Sequence, residues 1–221
     1  MSTHIHLSEN PARDLARRFA DQMADSGGGF VAVSGGATPT QLYRTLVSDY
    51  AERVDWQRIT LFQVDERCVP VTHADSNWRV LHDELLSKLP ALKAHRIEAE
   101  RIHAADDYET RIVRTLPQNT EGIPVFDLIL LGMGPDGHTA SLFPSTQALH
   151  ERNHFVVLND VPQLKTQRVT MTYPILNAAR QRWFLVSGAD KADAFARVQE
   201  GDLPAGRIAD AEWFIDPSVA G

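Results

Sequence analysis

Phe30-Val31-Ala32-Val33-Ser34-Gly35-Gly36-Ala37-Thr38-Pro39 joins a short apolar run to a glycine turn and the start of an amphipathic stretch. Four apolar residues without polar alternation read as a strand buried on both faces, the habit of parallel sheets. The glycines allow the turn, and Pro39 fits the first turn of a helix, where no N–H is required. Strand, turn and helix in that order are the repeating unit of an α/β fold. The pattern continues on both sides. Upstream, Asn10-Pro11 opens a helix whose apolar residues Leu15, Phe19 and Met23 fall four apart, and Gly27-Gly28-Gly29 closes it. Downstream, strands are expected at Ile59 to Gln63, Leu128 to Leu131, Phe155 to Leu158, Val169 to Thr172 and Trp183 to Val186, with a closing strand over Ala211 to Ile215. Helices are expected over Trp78 to Leu86, Ala105 to Leu116 and Asp190 to Gln199. No repeat, low-complexity stretch or linker interrupts this order. Residues 1–221 therefore read as a single α/β domain: a largely parallel twisted sheet flanked by helices, Rossmann-like and doubly wound.

The 221 residues suffice for a sizeable core. A formal net charge of −7 argues against nucleic acid or an anionic membrane as partner, so an anionic ligand would have to be met locally by Arg, Lys or backbone N–H groups. No apolar run approaches the ~20 residues that span a bilayer. Cys68 is the single cysteine, which excludes an internal disulfide and fits a reducing compartment. Met1-Ser-Thr-His-Ile-His lacks the basic and apolar regions of a signal peptide, so a cytoplasmic location is expected. His4 and His6 read as part of a mobile terminus.

In open α/β sheets, ligands bind outside the carboxyl ends of the strands. Three loops there carry the chemistry, and they are expected to gather at one edge of the sheet. Ser34 to Thr38 offers two glycines, two hydroxyls and a helix N-terminus, which suits a phosphate. It is neither a Walker A motif nor a dinucleotide fingerprint, and it reads equally as a tight turn with a Ser or Thr cap. The second loop, Gln63-Val-Asp-Glu-Arg-Cys-Val-Pro70 with Asp75-Ser-Asn77, sets Asp65, Glu66 and Arg67 together. Arg67 suits a carboxylate or phosphate, and the acids suit sugar hydroxyls; alternatively one acid pairs with Arg67 as a structural ion pair. In the third, Leu128-Ile-Leu-Leu131 runs into Gly132-Met-Gly-Pro-Asp-Gly-His-Thr-Ala-Ser-Leu-Phe-Pro144. The glycines would present His138 at the strand end as a general base, with Asp136 to orient it; a histidine with only a capping role is the plainer alternative. Arg168 and Lys191 lie near further strand ends, although isolated cations are usually solvated. The histidines lack metal-ligand spacing, so no metal is indicated.

Taken together, Ser34-Gly-Gly-Ala-Thr-Pro39, Val64-Asp-Glu-Arg-Cys-Val-Pro70 with Ser76-Asn77, and Gly132-x-Gly-x-Asp-Gly-His-Thr-Ala-Ser-Leu-Phe-Pro144 resemble the signatures of the 6-phosphogluconolactonase family, within a superfamily that includes the glucosamine-6-phosphate deaminases. Gln167-Arg-Val-Thr-Met-Thr172, Pro174-Ile-Leu-Asn-Ala-Ala179 and Gly188-x-x-Lys-Ala192 extend the resemblance over nearly the whole chain. It implies hydrolysis of a sugar-phosphate lactone with no metal or organic cofactor. His138 would activate water, Asp136 and Asp65 would position it or bind hydroxyls, and Arg67 would sit at the phosphate or the reacting end. Gly35, Gly36, Ala37 and Thr38 would hold the phosphate, with Arg168 and Lys191 adding charge. A monomer or small homo-oligomer is expected. The family's Lys-Pro-Pro stretch is replaced by Val161-Pro-Gln-Leu-Lys-Thr166, which leaves Gln163 at the lysine position and Lys165 outside the expected site. The alternative is a deaminase-isomerase acting on an amino sugar phosphate. The deaminases carry an acid just before the proline that closes the third loop; here that residue is Phe143.

Overall fold

The computed structural model describes residues 4–36 and 38–221. Within them the strands are β1 (His4–Leu7), β2 (Gly29–Val33), β3 (Ile59–Gln63), β4 (Asp65–Arg67), β5 (Lys93–His95), β6 (Leu128–Gly132), β7 (Val156–Val161), β8 (Thr166–Met171), β9 (Gln181–Val186) and β10 (Glu212–Ile215). The helices are α1 (Pro11–Ser26), α2 (Thr38–Tyr50), α3 (Asn77–Leu81), α4 (Ala104–Thr115), α5 (Tyr173–Ala178), α6 (Ala192–Gln199) and α7 (Pro217–Ala220).

Seven strands form one sheet in the order β1-β10-β9-β6-β2-β3-β5, and every pairing in it is parallel. Side chains alternate across it, as the two-residue repeat of a strand demands. Val31, Val33, Leu128, Leu130, Trp183 and Leu185 face the core under α1 and α2. Ala32, Ile129, Leu131, Phe184 and Val186 face the core under α4, α5, α6 and α7. Burying a Leu, Ile or Phe contributes ~1.5–3 kcal/mol, and two such layers bury the central strands on both faces. The doubly wound α/β expectation is met.

Helix α1 begins where the sequence places it: Asn10 Oδ1 accepts from the Arg13 N–H at 3.1 Å, and Gly27 ends the helix in the left-handed region at φ 68°. The chain runs from β2 out through β3 to β5, then returns to lay β6 on the other side of β2. The reversal leaves a crevice between the carboxyl ends of β2 and β6, the place where this architecture takes its ligands.

Phe155 to Leu158 and Val169 to Thr172 form strands as expected, but outside the parallel sheet: β8 pairs antiparallel with both β4 and β7 in a separate three-stranded sheet, order β4-β8-β7. Other expectations are corrected. The segment at Ala211 to Ile215 does not close the sheet, because β1 pairs outside it. His4 and His6 thus belong to an edge strand. The His6 ring stacks on Phe214 at 4.4 Å, and its Nε2 lies 2.9 Å from Glu212 Oε2. The helix expected over Trp78 to Leu86 is α3 followed by a wider turn over His82–Leu86.

Candidate functional site

The crevice holds a cavity of about 210 Å³ lined by the ends of both halves of the sheet. From β2 and α2 come Ser34, Gly35, Gly36 and Thr38, and from β4 and α3 come Asp65, Arg67 and Asn77. From the loop after β6 come Gly132, Met133, Gly134 and His138, joined by Arg168 of β8 and Lys191 beyond β9. The three loops therefore meet at one edge, and the glycine turn at 35 and 36 shares a cavity with residue 138. Of the expected site residues, Asp136 does not line the cavity but bonds to His138, and Ala37 lies outside the described residues. Lys165 lines a different hollow, beside Cys68.

A larger hollow, about 520 Å³, lies against α4. Two of its four arginines, Arg96 and Arg101, are already paired with Glu98 and Glu100. The smaller cavity differs in kind. Of six buried side-chain polar atoms without a hydrogen-bond partner among the described residues, four belong to residues lining it: Ser34 Oγ, Asn77 Oδ1, Arg67 Nε and Arg168 Nε. Unpartnered buried polar groups are costly in a fold and mark positions where a ligand supplies the missing bond.

The floor is built on β2. The Tyr43 hydroxyl on α2 donates to the Ser34 carbonyl at 2.7 Å, which draws the helix N-terminus against the strand end. Burial, with Asp65 nearby, pushes the Tyr43 hydroxyl up far beyond ordinary phenol values, so it remains a donor. Residue 35 must be glycine because a Cβ there would lie 2.1 Å from Asn77 Cγ. Asn77 is buried beneath the turn and donates from Nδ2 to the Asp65 carbonyl at 3.0 Å.

The short strand β4 carries Asp65 and Arg67 because β8 supplies its ladder, pairing Asp65 with Thr170 and Arg67 with Arg168. Two guanidinium-bearing residues thus lie side by side. Burial lowers the Arg168 pKa, Asp65 raises it, and Arg67 lowers it further. A site that tolerates two adjacent cations favours an anion. Neither Asp65 nor Glu66 forms an ion pair with the Arg67 guanidinium; Arg67 Nη1 donates to the Asp75 carbonyl at 2.6 Å, and Glu66 accepts from the Arg67 backbone N–H at 2.8 Å. Asp65 accepts from Ser141 Oγ at 2.5 Å, which ties β4 to the His138 loop.

The loop after β6 closes on itself. Gly134 N–H donates to the His138 carbonyl at 2.9 Å, Gly137 turns at φ 75°, and Thr139 Oγ1 donates to the Gly132 carbonyl at 2.9 Å. The imidazole is brought over Gly134, with Nδ1 2.6 Å from Asp136 Oδ1. Burial works against the Asp136 charge, but the hydrogen bond and proximity of His138, helped by backbone N–H groups, hold the carboxyl below the usual aspartate range. Lys191 enters from the far side, its Nζ donating to the Met133 carbonyl at 3.0 Å. Burial, then Glu66 and Asp160, push the Cys68 thiol up, so it is no activated nucleophile.

Asn77 and Ser141 are the site residues that sequence reasoning missed. Asn77 stood in a quoted motif without a role; its signal was the glycine it forces at 35. Among the described residues, no group of His, Cys, Asp and Glu is arranged to hold a metal ion, and no helix is long and apolar enough to cross a membrane.

Comparison with known proteins finds relatives over nearly the whole chain. A family model described as glucosamine-6-phosphate isomerases/6-phosphogluconolactonase matches residues 2–215. The chloroplastic 6-phosphogluconolactonase 3 of Arabidopsis thaliana is 38% identical over 95% of this chain and 71% of its own. The 6-phosphogluconolactonase of Rattus norvegicus is 37% identical over 99% of this chain and 90% of its own. The crystal structure of 6-phosphogluconolactonase from Thermotoga maritima superposes with a TM-score of 0.85 at 28% identity, covering 97% of this chain and 100% of that one.

Proposed function

The chain belongs to the glucosamine-6-phosphate isomerase/6-phosphogluconolactonase family, and from that premise we propose that it hydrolyses 6-phospho-D-glucono-1,5-lactone to 6-phospho-D-gluconate in the oxidative pentose phosphate pathway. One observation carries the reading: a single cavity joins the Asp136-held imidazole of His138 to a helix N-terminus and to the unpartnered Nε atoms of Arg67 and Arg168. A base at one end and an anion cradle at the other match a small ester with a phosphate tail.

An ionised carboxylate only accepts hydrogen bonds, so Asp136 keeps the proton on Nδ1 and leaves Nε2 as the basic atom. Nε2 takes a proton from water as the water oxygen bonds to the lactone carbonyl carbon. The carbonyl oxygen becomes an oxyanion. Its collapse breaks the bond to the ring oxygen, and the imidazolium returns the proton to that departing oxygen. One water is consumed and the open hydroxy acid is released. General base help of this kind is worth ~10²–10⁴ in rate. Gly35, Gly36 and Thr38 hold the phosphate where the glycine turn runs into α2, with Ala37 assigned to the same role from the sequence motif alone; Arg168 and Lys191 add charge, and Asp65 takes a sugar hydroxyl. Arg67 lines the same cavity and serves the reacting carbonyl or the phosphate. No metal or organic cofactor enters these steps.

A cytoplasmic location, with which the single cysteine fits, and a monomer or small homo-oligomer complete the reading. Phe143, lacking any titratable group, stands against amino-sugar deamination. The test is proton release on freshly generated lactone, with ammonia release from glucosamine 6-phosphate in parallel. Activity on the lactone alone is expected; ammonia release without lactone turnover overturns the reading.

A further inference from the structure

The Cβ–Cγ bond, the Asp136 hydrogen bond at Nδ1 and the Gly134 backbone already limit how the His138 ring can tilt. A further contact, from an aromatic ring, covers one face of it. The Phe143 ring lies 3.9 Å from the imidazole, centroid to centroid, at an interplanar angle of 20°. The same ring lies 5.0 Å from Arg168 Cζ. Phe143 is almost wholly buried, 1% exposed.

The chain works to put it there. Ala140 adopts φ 49° in a tight reversal that Leu142 N–H closes on the Thr139 carbonyl at 2.9 Å, folding the loop back over His138. Thr146 Oγ1 then donates to the Phe143 carbonyl at 2.8 Å. Asn159 Nδ2 donates both to Thr146 Oγ1, at 3.1 Å, and to the Ser141 carbonyl, at 2.8 Å, which pins the segment to β7. The ring is thus held by the small antiparallel sheet while His138 is held by the parallel one.

We propose that Phe143 is a positioning residue of the lactone-hydrolysing site, acting through His138: its ring face braces the imidazole against tilting and stabilises the positive charge the imidazole acquires when it takes the proton from water. The face of an aromatic ring is its negative side, and a cation stacked on it is attracted in proportion to that charge. This contribution appears only once His138 is protonated, so it favours the transition state over the bound substrate.

The inference rests on lactone hydrolysis with His138 as base, so the wild-type rate on the lactone is measured first. Phe143 is then replaced, at that position alone, by 4-fluoro-, 3,5-difluoro- and pentafluorophenylalanine, which keep the ring's shape and progressively drain its face. Thermal unfolding checks that each variant folds. A stepwise fall in kcat, reaching about 10-fold with the pentafluoro ring, and KM within about twofold are expected. Phe143→Leu, which lacks the ring, should lose at least as much kcat. A kcat that stays flat across the fluorinated series overturns the proposal, as does a rise in KM alone, which would assign the ring to Arg168. A wild-type chain inert towards the lactone overturns the proposed activity itself; an active chain with a flat series overturns only the role of the ring.

Discussion

His138 Nδ1 and Asp136 Oδ1 lie 2.6 Å apart in a turn of three residues, so the acid that orients the imidazole is carried on the same loop as the imidazole. The Asp136 carboxyl stays ionised below the usual aspartate range, held by His138 against the cost of its burial. Asp136→Asn leaves an acceptor for Nδ1 but removes the countercharge to the imidazolium. A fall in kcat of ~10–10²-fold is expected, with KM little changed, against ~10² or more for His138→Ala. Steady-state kinetics on the lactone decide this, and an Asn variant within twofold of wild type would divorce the carboxylate from the chemistry.

Gly134 is where the imidazole rests. A Cβ built there would lie 2.1 Å from His138 Nδ1 and 2.9 Å from Asp136 Oδ1, contacts that force the ring to move. Gly134→Ala should therefore displace the base while leaving the sheet intact. Loss of kcat by ~10²-fold is expected, since a displacement of about 1 Å from reacting geometry costs that much. Far-ultraviolet circular dichroism should match wild type. Full activity in this variant would place the working position of His138 elsewhere.

Lys191 and Arg168 approach the cavity from opposite sheets, one beyond β9 and one on β8. Charges that hold a phosphate do so in the ground state and the transition state alike, so Lys191→Ala and Arg168→Ala should mainly raise KM, by roughly 10-fold each. Inorganic phosphate should inhibit wild type competitively and inhibit either variant less. A variant that lowered kcat with KM unchanged would move that cation to the reacting end.

Away from the site, Arg44 on α2 grips Glu84 with two hydrogen bonds, Nη2 to Oε1 at 2.7 Å and Nε to Oε2 at 2.8 Å. Those bonds hold the Glu84 carboxyl down to about 2, against an ordinary value of 4.5. A carboxyl depressed by folding adds stability above the unfolded value, and that stability is lost as pH falls through the folded value. Exposed pairs contribute at most ~1 kcal/mol, or about 2–4 °C in a chain of this size. Glu84→Gln should therefore melt slightly below wild type at pH 7, and the gap should close between pH 4.5 and 2. A gap that widened with acid would contradict the assignment.

The parallel sheet was legible because β2 and β6 carry unbroken apolar runs and β3 and β9 are largely apolar; its strand order was not read from the sequence. The meeting of three loops was legible too, since the fold class alone puts those strand ends together. β4 was not legible: Asp65-Glu66-Arg67 is charged throughout and becomes a strand only because β8, a hundred residues later, offers it an edge. β1 was missed because all four residues remain exposed, leaving no burial pattern to read. The reach of Ser141 to Asp65 spans 76 residues and has no local signature. Periodicity reports which face an element buries; it does not report which distant side chain completes a hydrogen bond.

Glu66 shows what that limit conceals. In sequence it stands between two residues of the expected site and reads as a partner for Arg67. In the fold it is 3% exposed and accepts five hydrogen bonds. Oε1 takes the Arg67 and Asn77 N–H groups at 2.8 and 2.7 Å; Oε2 takes Gln63 Nε2, Ser76 Oγ and the Trp78 N–H at 3.0, 3.1 and 2.7 Å. It thereby fastens β4 to the first turn of α3 and fixes the backbone of Arg67 and Asn77 at once. Glu66→Gln keeps the shape but turns one oxygen into a donor facing donors. Leaving buried hydrogen-bonding groups without partners costs ~1–3 kcal/mol each, so a loss of about 3 kcal/mol is expected, read from urea unfolding. Because Arg67 and Asn77 would shift together, the surviving folded protein should also show a raised KM for the lactone. A Gln variant as stable as wild type would mean that the five donors find other acceptors, and β4 would then owe its place to β8 alone.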